Sequence, residues 1–268
     1  MSREGTRTLA TVTAEDSDTD RRPRRRATFP SPHPRRLCMA APYSPATPVA
    51  EAPVADRQAY MTRVYVRLLA GIAAFILGSW WLFATGLAYA IAEFVLGVSW
   101  LLILGGFMIV SWMSTSMLYR TNSPVGQYAA YAAVVVANVL LFATPLVLAQ
   151  LQGPPGTIEL AAQISGVAFV ALSVIAITTS KDFSFLRGFL MWGGVLALLL
   201  IVGSVLFGTG LGVWFSIAMI GFAGAAILYD TQKVYRSYPL GTETAAAVHL
   251  FSSIALLFWY VLQLLTRR

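Results

Sequence analysis

From about residue 61 to its end, the chain is a series of long apolar runs separated by short polar or Gly/Pro-rich breaks. The stretches 64–86, 98–118, 125–149, 160–179, 185–207, 212–232 and 246–265 each approach or exceed the about 20 apolar residues that a helix needs to cross a bilayer core. The breaks between most of them are YRTNSP (119–124), QGPPGT (152–157), SKDFS (180–184), GTG (208–210) and RSYPLGTET (236–244). Residues 87–97, LAYAIAEFVLG, stay mostly apolar around Glu93 and read as an interfacial segment or a loop. The pattern predicts an all-α integral membrane protein, with a seven-helix domain over residues 61–268.

Composition supports this class. Hydrophobic residues make up 57% of the 268 and charged residues only 12%, about half the roughly 25% of soluble domains. The charge is unevenly spread. Residues 1–60 hold ten of the nineteen basic residues, all Arg, and seven of the twelve acids, so a polar tail precedes the membrane domain. This segment is rich in Pro, Arg, Ser and Thr without an apolar period, a composition that predicts disorder. Its RRPRRR run (Arg21–Arg26) could touch anionic lipid or nucleic acid; the plainer alternative is a solvated tail, and no nucleic-acid partner is assigned. Met39 opens a stretch that reads like a natural polar start, so residues 1–38 are candidates for sequence that is not translated. The single cysteine, Cys38, lies there and implies no disulfide framework.

Loop charges predict the orientation. Arg120, then Lys181 and Arg187, then Lys233 and Arg236 fall in alternate connections, whereas the intervening loops have no Lys or Arg. With Arg57, Arg63 and Arg67 flanking the first span, the positive-inside rule puts the N-terminus in the cytoplasm and the C-terminus outside. Arg267 and Arg268 oppose this mildly. The excess of Arg over Lys and the abundant Ala suit a GC-rich bacterial genome, hence a bacterial inner membrane.

Candidate chemistry centres on AAILYDTQKVYR (225–236), where an apolar helix ends on Asp230. The helix dipole is unfavourable to a carboxylate at that end. An Asp at the bilayer centre costs roughly 2.5–3.5 kcal/mol, less toward the interface, and such residues usually face the bundle interior. Two explanations stand: a functional acid, or a snorkelling or capping acid satisfied by water or by Lys233. In the last span, His249, Ser253, Tyr260 and Gln263 fall on one helical stripe. Such a stripe should face other helices or a watered cavity. The small residues GFAGAA (221–226) permit close approach of the neighbouring helix, which would bring Ser253 or His249 to Asp230. For Tyr260 and Gln263, interhelical hydrogen bonding that serves stability alone is the simpler account.

Enzymatic constellations are missing. The Ser165 context lacks the first Gly of a rhomboid-like protease. An aspartyl dyad needs a second membrane Asp, but GTGLGV has Val213 at that place. Two His and one Cys make no zinc site, and GTGLG has no Walker Lys. No catalytic role and no cofactor is expected.

ILYDTQKV closing one span, a short polar link, and a final span ending LFWYVLQLL resemble the Bax inhibitor-1 family. TTSKDFSFLRGFL (178–190) is similar to that family's segment between the fourth and fifth spans. The resemblance covers about 60–268 and implies a seven-helix bundle with the last helix in the middle. It also implies a pH-sensitive calcium leak gated by two aspartates that share a proton. Asp230 matches the first, while Ser253 stands at the place of the second. A serine cannot share a proton as a carboxylate does, and calcium prefers several oxygen ligands, so Asp230 is only a weak calcium candidate. Histidine titrates near neutral pH, which makes His249 a further switch candidate. Arg120 is a candidate partner of Asp230, Lys181 and Asp182 are candidate anchors of their loop, and Glu93 is an outer-mouth candidate. Trp80, Trp81, Trp100, Trp112 and Trp214 read as interfacial anchors. Two functions follow: a calcium or cation leak channel sensing pH through Asp230, or a non-transporting regulator. The latter could bind a membrane-anchored AAA protease or act in a stress response, as the resemblance implies for some bacterial relatives.

Overall fold

The computed structural model describes residues 48–267 except 121, 122 and 180; of residues 100, 119 and 120 it describes the backbone alone. A single 3-10 turn (Val49–Glu51) leads into eight α-helices: α1 (Val54–Ala84), α2 (Leu87–Gly97), α3 (Trp100–Arg120), α4 (Pro124–Gln152), α5 (Thr157–Thr178), α6 (Leu186–Leu206), α7 (Val213–Arg236) and α8 (Glu243–Thr266). Seven of them are long and apolar enough to cross a membrane. The eighth, α2, has 11 residues, roughly 16 Å of helix, about half a hydrocarbon core. It lies against α4 and α1, so the apolar stretch around Glu93 is a short helix rather than an open loop.

Helix α1 revises one expected boundary. Its 31 residues make roughly 46 Å, longer than the roughly 30 Å thickness of a bilayer core. It starts at Val54, inside the segment 1–60 read as tail. Residues 48–60 are therefore folded, while residues 1–47, including RRPRRR and Cys38, lie outside the described residues. Hydropathy missed this extension because its first turns, VADRQAY, are polar on the outside and turn only some side chains, such as Tyr60, inward. The Val49 N–H donates to the Tyr238 carbonyl at 2.9 Å, and Val49 is fully buried. The chain before α1 is thereby tied to the turn between α7 and α8.

Helix α8 occupies the middle. It packs on α1, α4, α5 and α7 and touches α3, and its most extensive partner is α7. Rings fix its other side. Phe142 of α4 stacks on Phe258 at 5.5 Å and meets Trp259 edge-on at 5.0 Å, and Phe75 of α1 meets Phe142 at 5.2 Å. Edge-to-face and offset contacts of this kind add to simple apolar packing. Helices α1 and α4 come together at Gly71, where a Cβ would lie 1.9 Å from the Tyr131 hydroxyl. Only hydrogen at that position lets Tyr131 reach over α1 and donate to the Arg67 carbonyl at 3.0 Å. The α7–α8 turn uses Gly241 at φ 92°, a left-handed conformation that costs glycine nothing.

Candidate functional site

The last two turns of α7 send successive polar side chains to different neighbours. Asp230 faces α8, and the Ser253 hydroxyl donates to its Oδ2 at 2.5 Å. His249, one turn earlier on α8, and Lys233, three residues on in α7, are near enough to act on the carboxylate electrostatically. The Lys233 ammonium lies over the rings of Tyr229 and Tyr238, at 5.6 and 5.8 Å from their centroids. Tyr238 in turn meets the His249 ring edge-on at 6.2 Å. Small residues make this approach possible: Ala223 of α7 and Ala246 and Ala247 of α8 are completely buried. The acid, hydroxyl, imidazole and ammonium thus form one polar cluster where α7 and α8 meet.

Thr231 and Gln232 point the other way. Thr231 pairs with Ser173 of α5, their hydroxyls 3.4 Å apart. The Gln232 amide bridges the backbone of the α5–α6 loop. Its Nε2 donates to the Lys181 carbonyl and its Oε1 accepts from the Phe183 N–H, both at 2.7 Å. Arg236 closes the arrangement, donating to Asp182 Oδ1 at 2.6 Å and to the Thr179 carbonyl at 3.2 Å. Of the two expected loop anchors, Asp182 accepts from Arg236 through its carboxylate, whereas Lys181 takes part through its main-chain carbonyl, which any residue would supply.

A second buried acid went unnoticed in the sequence. Glu243 opens α8 and accepts from Arg63 at 3.2 Å and Arg67 at 3.1 Å, both on α1. Its side chain is 8% exposed, and those of Arg63 and Arg67 are 61% and 23% exposed. A carboxylate in the first turn also meets the favourable end of the helix dipole. The available signal was an acid at a span's start, with two arginines spaced i, i+4 beside another span.

Other expected residues fare differently. The remaining stripe residues of α8 lie toward its C-terminal end: Tyr260 is buried against Met219 and Ala197, with Phe215 edge-on at 6.0 Å, and Gln263 is half-buried. Arg120 ends α3, but its side chain lies outside the described residues, so its proposed pairing with Asp230 does too. Glu93 is exposed on α2 in a shallow depression with Phe94 and Gly97, apart from the α7–α8 cluster. Trp80, Trp81, Trp112 and Trp214 are exposed on the outer faces of their helices. Among the described residues, no three His, Cys, Asp or Glu side chains come together as a metal site.

The profile of a protein family described as "Inhibitor of apoptosis-promoting Bax1" matches residues 57–268, from the second turn of α1 through α8. The chain belongs to the Bax inhibitor-1 family. A Vibrio cholerae serotype O1 protein, described as an uncharacterized membrane protein, is 31% identical over 129 residues, which are 45% of this chain and 50% of that one. This chain thus spans about half the length of that curated relative. It is a multi-pass membrane protein of the Bax inhibitor-1 family in which Asp230 is bridged to a serine hydroxyl.

Proposed function

We propose that the protein is a proton-responsive cation leak whose closing contact is the Asp230–Ser253 bond. The observation that carries this reading is the 2.5 Å bond itself, which joins the two most extensively paired helices at an acid inside a span. A bond to an ionised carboxylate is about twice as strong as one between neutral groups. Protonation of Asp230 would weaken the latch between α7 and α8, with His249 and Lys233 the neighbouring cationic or titratable groups. Flux should therefore rise on acidification. Calcium is the proposed permeant ion rather than a resident one, because a hydroxyl replaces the second carboxylate that would help to hold it. The alternation of basic loops supports a cytoplasmic N-terminus and an external C-terminus, in a bacterial inner membrane. Asp230 then lies toward the cytoplasmic side.

A regulatory reading has its own support. Gln232 and Arg236 hold the α5–α6 loop in a defined shape, with Asp182 and Phe185 exposed. That surface could be read by a membrane-anchored AAA protease or another partner in a stress response. Calcium flux into proteoliposomes at mildly acidic and alkaline pH separates the two. Native protein should conduct more at acidic pH, and Asp230→Asn should flatten the pH response. If native protein conducts at neither pH while Ser253→Asp does, the leak reading fails and the regulatory one replaces it.

A further inference from the structure

Helices α1 and α5 both pack on α4 and α8 but make no extensive contact with each other. Between them lies a chamber of about 750 Å³, within the roughly 300–1,000 Å³ of small-molecule sites. Along α1 its lining runs from Ile72 to Phe83, roughly 16 Å at the helical rise. The floor is apolar and aromatic, with Phe75, Phe251, Ile254 and Phe258. At the end nearest the α4–α5 turn, the lining becomes polar through Gln150, Thr157 and Glu159, and it includes no Lys, Arg or His.

Two hydroxyls in the lining are unexplained by the bundle. Ser165 is 2% exposed, and neither its Oγ nor that of Ser79 has a hydrogen-bond partner. A buried polar group left unpaired is costly and points to a partner outside the chain. On α5, Glu159 and Ser165 are separated by roughly 9 Å of helix.

The geometry points to a binding site for a single-chain amphiphile that enters between α1 and α5. Its ammonium head lies at Glu159, a polar linkage such as an amide or ester meets Ser165 and Ser79, and its alkyl chain fills the apolar depth. A linear chain suits a crevice that runs along about three turns of α1 and is lined by the rings of Phe75, Phe83, Phe251 and Phe258. Glu159, exposed in the first turn of α5 with no Lys, Arg or His in the lining, favours a cationic head over an anionic one. The lining includes neither Asp230 nor Ser253, and the proposal stands whether or not the protein conducts ions.

Photolabelling of the full chain in lipid nanodiscs tests it. The probe is the dodecanoyl amide of 1,6-diaminohexane with a diazirine in the alkyl chain. Competitors are the same molecule without the diazirine and N-dodecanoyl-6-aminohexanoic acid, which has a carboxylate head. Labelling should concentrate on the facing surfaces of α1 and α5, well above that of lipid-facing Trp192 and Leu199 on α6. The amine should compete about threefold better than the acid, as expected for a partly exposed ion pair, and Glu159→Gln should abolish that preference. Ala162→Trp, which fills the crevice, should reduce chamber labelling to the α6 background. Gly166→Phe offers an independent block, since nothing lies within 4 Å of a Cβ placed there. Labelling no denser than on α6, equal competition by the acid, or labelling unchanged in a folded blocked variant would each overturn the proposal.

Discussion

Helix α6 has a mean hydropathy of 2.4 over its most apolar window and α8 has 1.9, yet 6% of the α6 window is buried inside the protein against 61% for α8. In water the ranking would run the other way. In lipid, an apolar side chain gains little by exchanging acyl chains for protein, and helices associate through close packing and polar contacts. Helix α8 has the means for both. Ala245, Ala246 and Ala247 let neighbours approach, Ser253 reaches Asp230, and Glu243 reaches two arginines. Helix α6 presents Trp192, Leu196 and Leu199 to the surroundings instead, and packs mainly against α7. Hydropathy therefore does not rank burial in this bundle: α4, at 2.3, is 56% buried and α7, at 1.6, only 22%, and what sets α8 at the centre is its small and polar residues.

The largest test of that contrast sets a ring of the central packing against a leucine of α6. Phe142→Ala empties the space between Phe75, Phe258 and Trp259 and should cost about 3 kcal/mol, toward the low end for such deletions. Leu199→Ala should stay within about 0.5 kcal/mol. Reversible unfolding in mixed micelles measures both, and equal losses would mean that the centre is not distinguished by its packing.

A smaller effect is expected where α8 begins. Glu243→Ala strands Arg67 and should cost about 2 kcal/mol, less than the ~3–5 kcal/mol of a fully buried pair because Arg63 is largely exposed. In double-mutant cycles, the coupling of Glu243 to Arg67 should exceed that to Arg63, which lies within the ~0–1 kcal/mol of surface pairs. The reverse order would remove the special place given to the buried partner.

The smallest expected change separates two adjacent serines. Ser252 donates to the Val248 carbonyl of its own helix at 2.9 Å, whereas Ser253 crosses to Asp230. Ser253→Ala should destabilise the protein by about 1 kcal/mol, typical of interhelical bonds in membranes, and Ser252→Ala should leave unfolding unchanged. Identical behaviour of the two would show that the α7–α8 bond adds nothing to stability.

Several of these features were legible in advance for identifiable reasons. Seven spans could be read because the bilayer sets a length and an apolar threshold that local composition meets or fails. The pairing of Asp230 with Ser253 was accessible because a polar stripe on a membrane helix has few places to go, and small residues on the preceding helix gave it one. Lys181 and Asp182 read as candidate loop anchors from their place between two spans, but the partners Gln232 and Arg236, 51 and 54 positions later, are visible only in the fold. Glu243 was overlooked because an acid in a polar turn raises no alarm. Its significance lies in Arg63 and Arg67, about 180 positions earlier in the chain. The folded start of α1 escaped for a related reason, since a water-facing extension lacks the continuous apolar run that marks a span.

What the sequence alone determined is therefore what the solvent dictates: helices of bilayer length, polar connections, and an intramembrane acid in need of a partner. The tertiary structure decided which span is central, which of its neighbours supplies each partner, and where α1 and α5 stay apart. Those outcomes depend on shape matching between distant segments, such as Gly71 under Tyr131 or Phe142 between the rings of α1 and α8. Hydropathy is nearly blind to them, because lipid and protein interiors are almost equivalent surroundings for an apolar side chain.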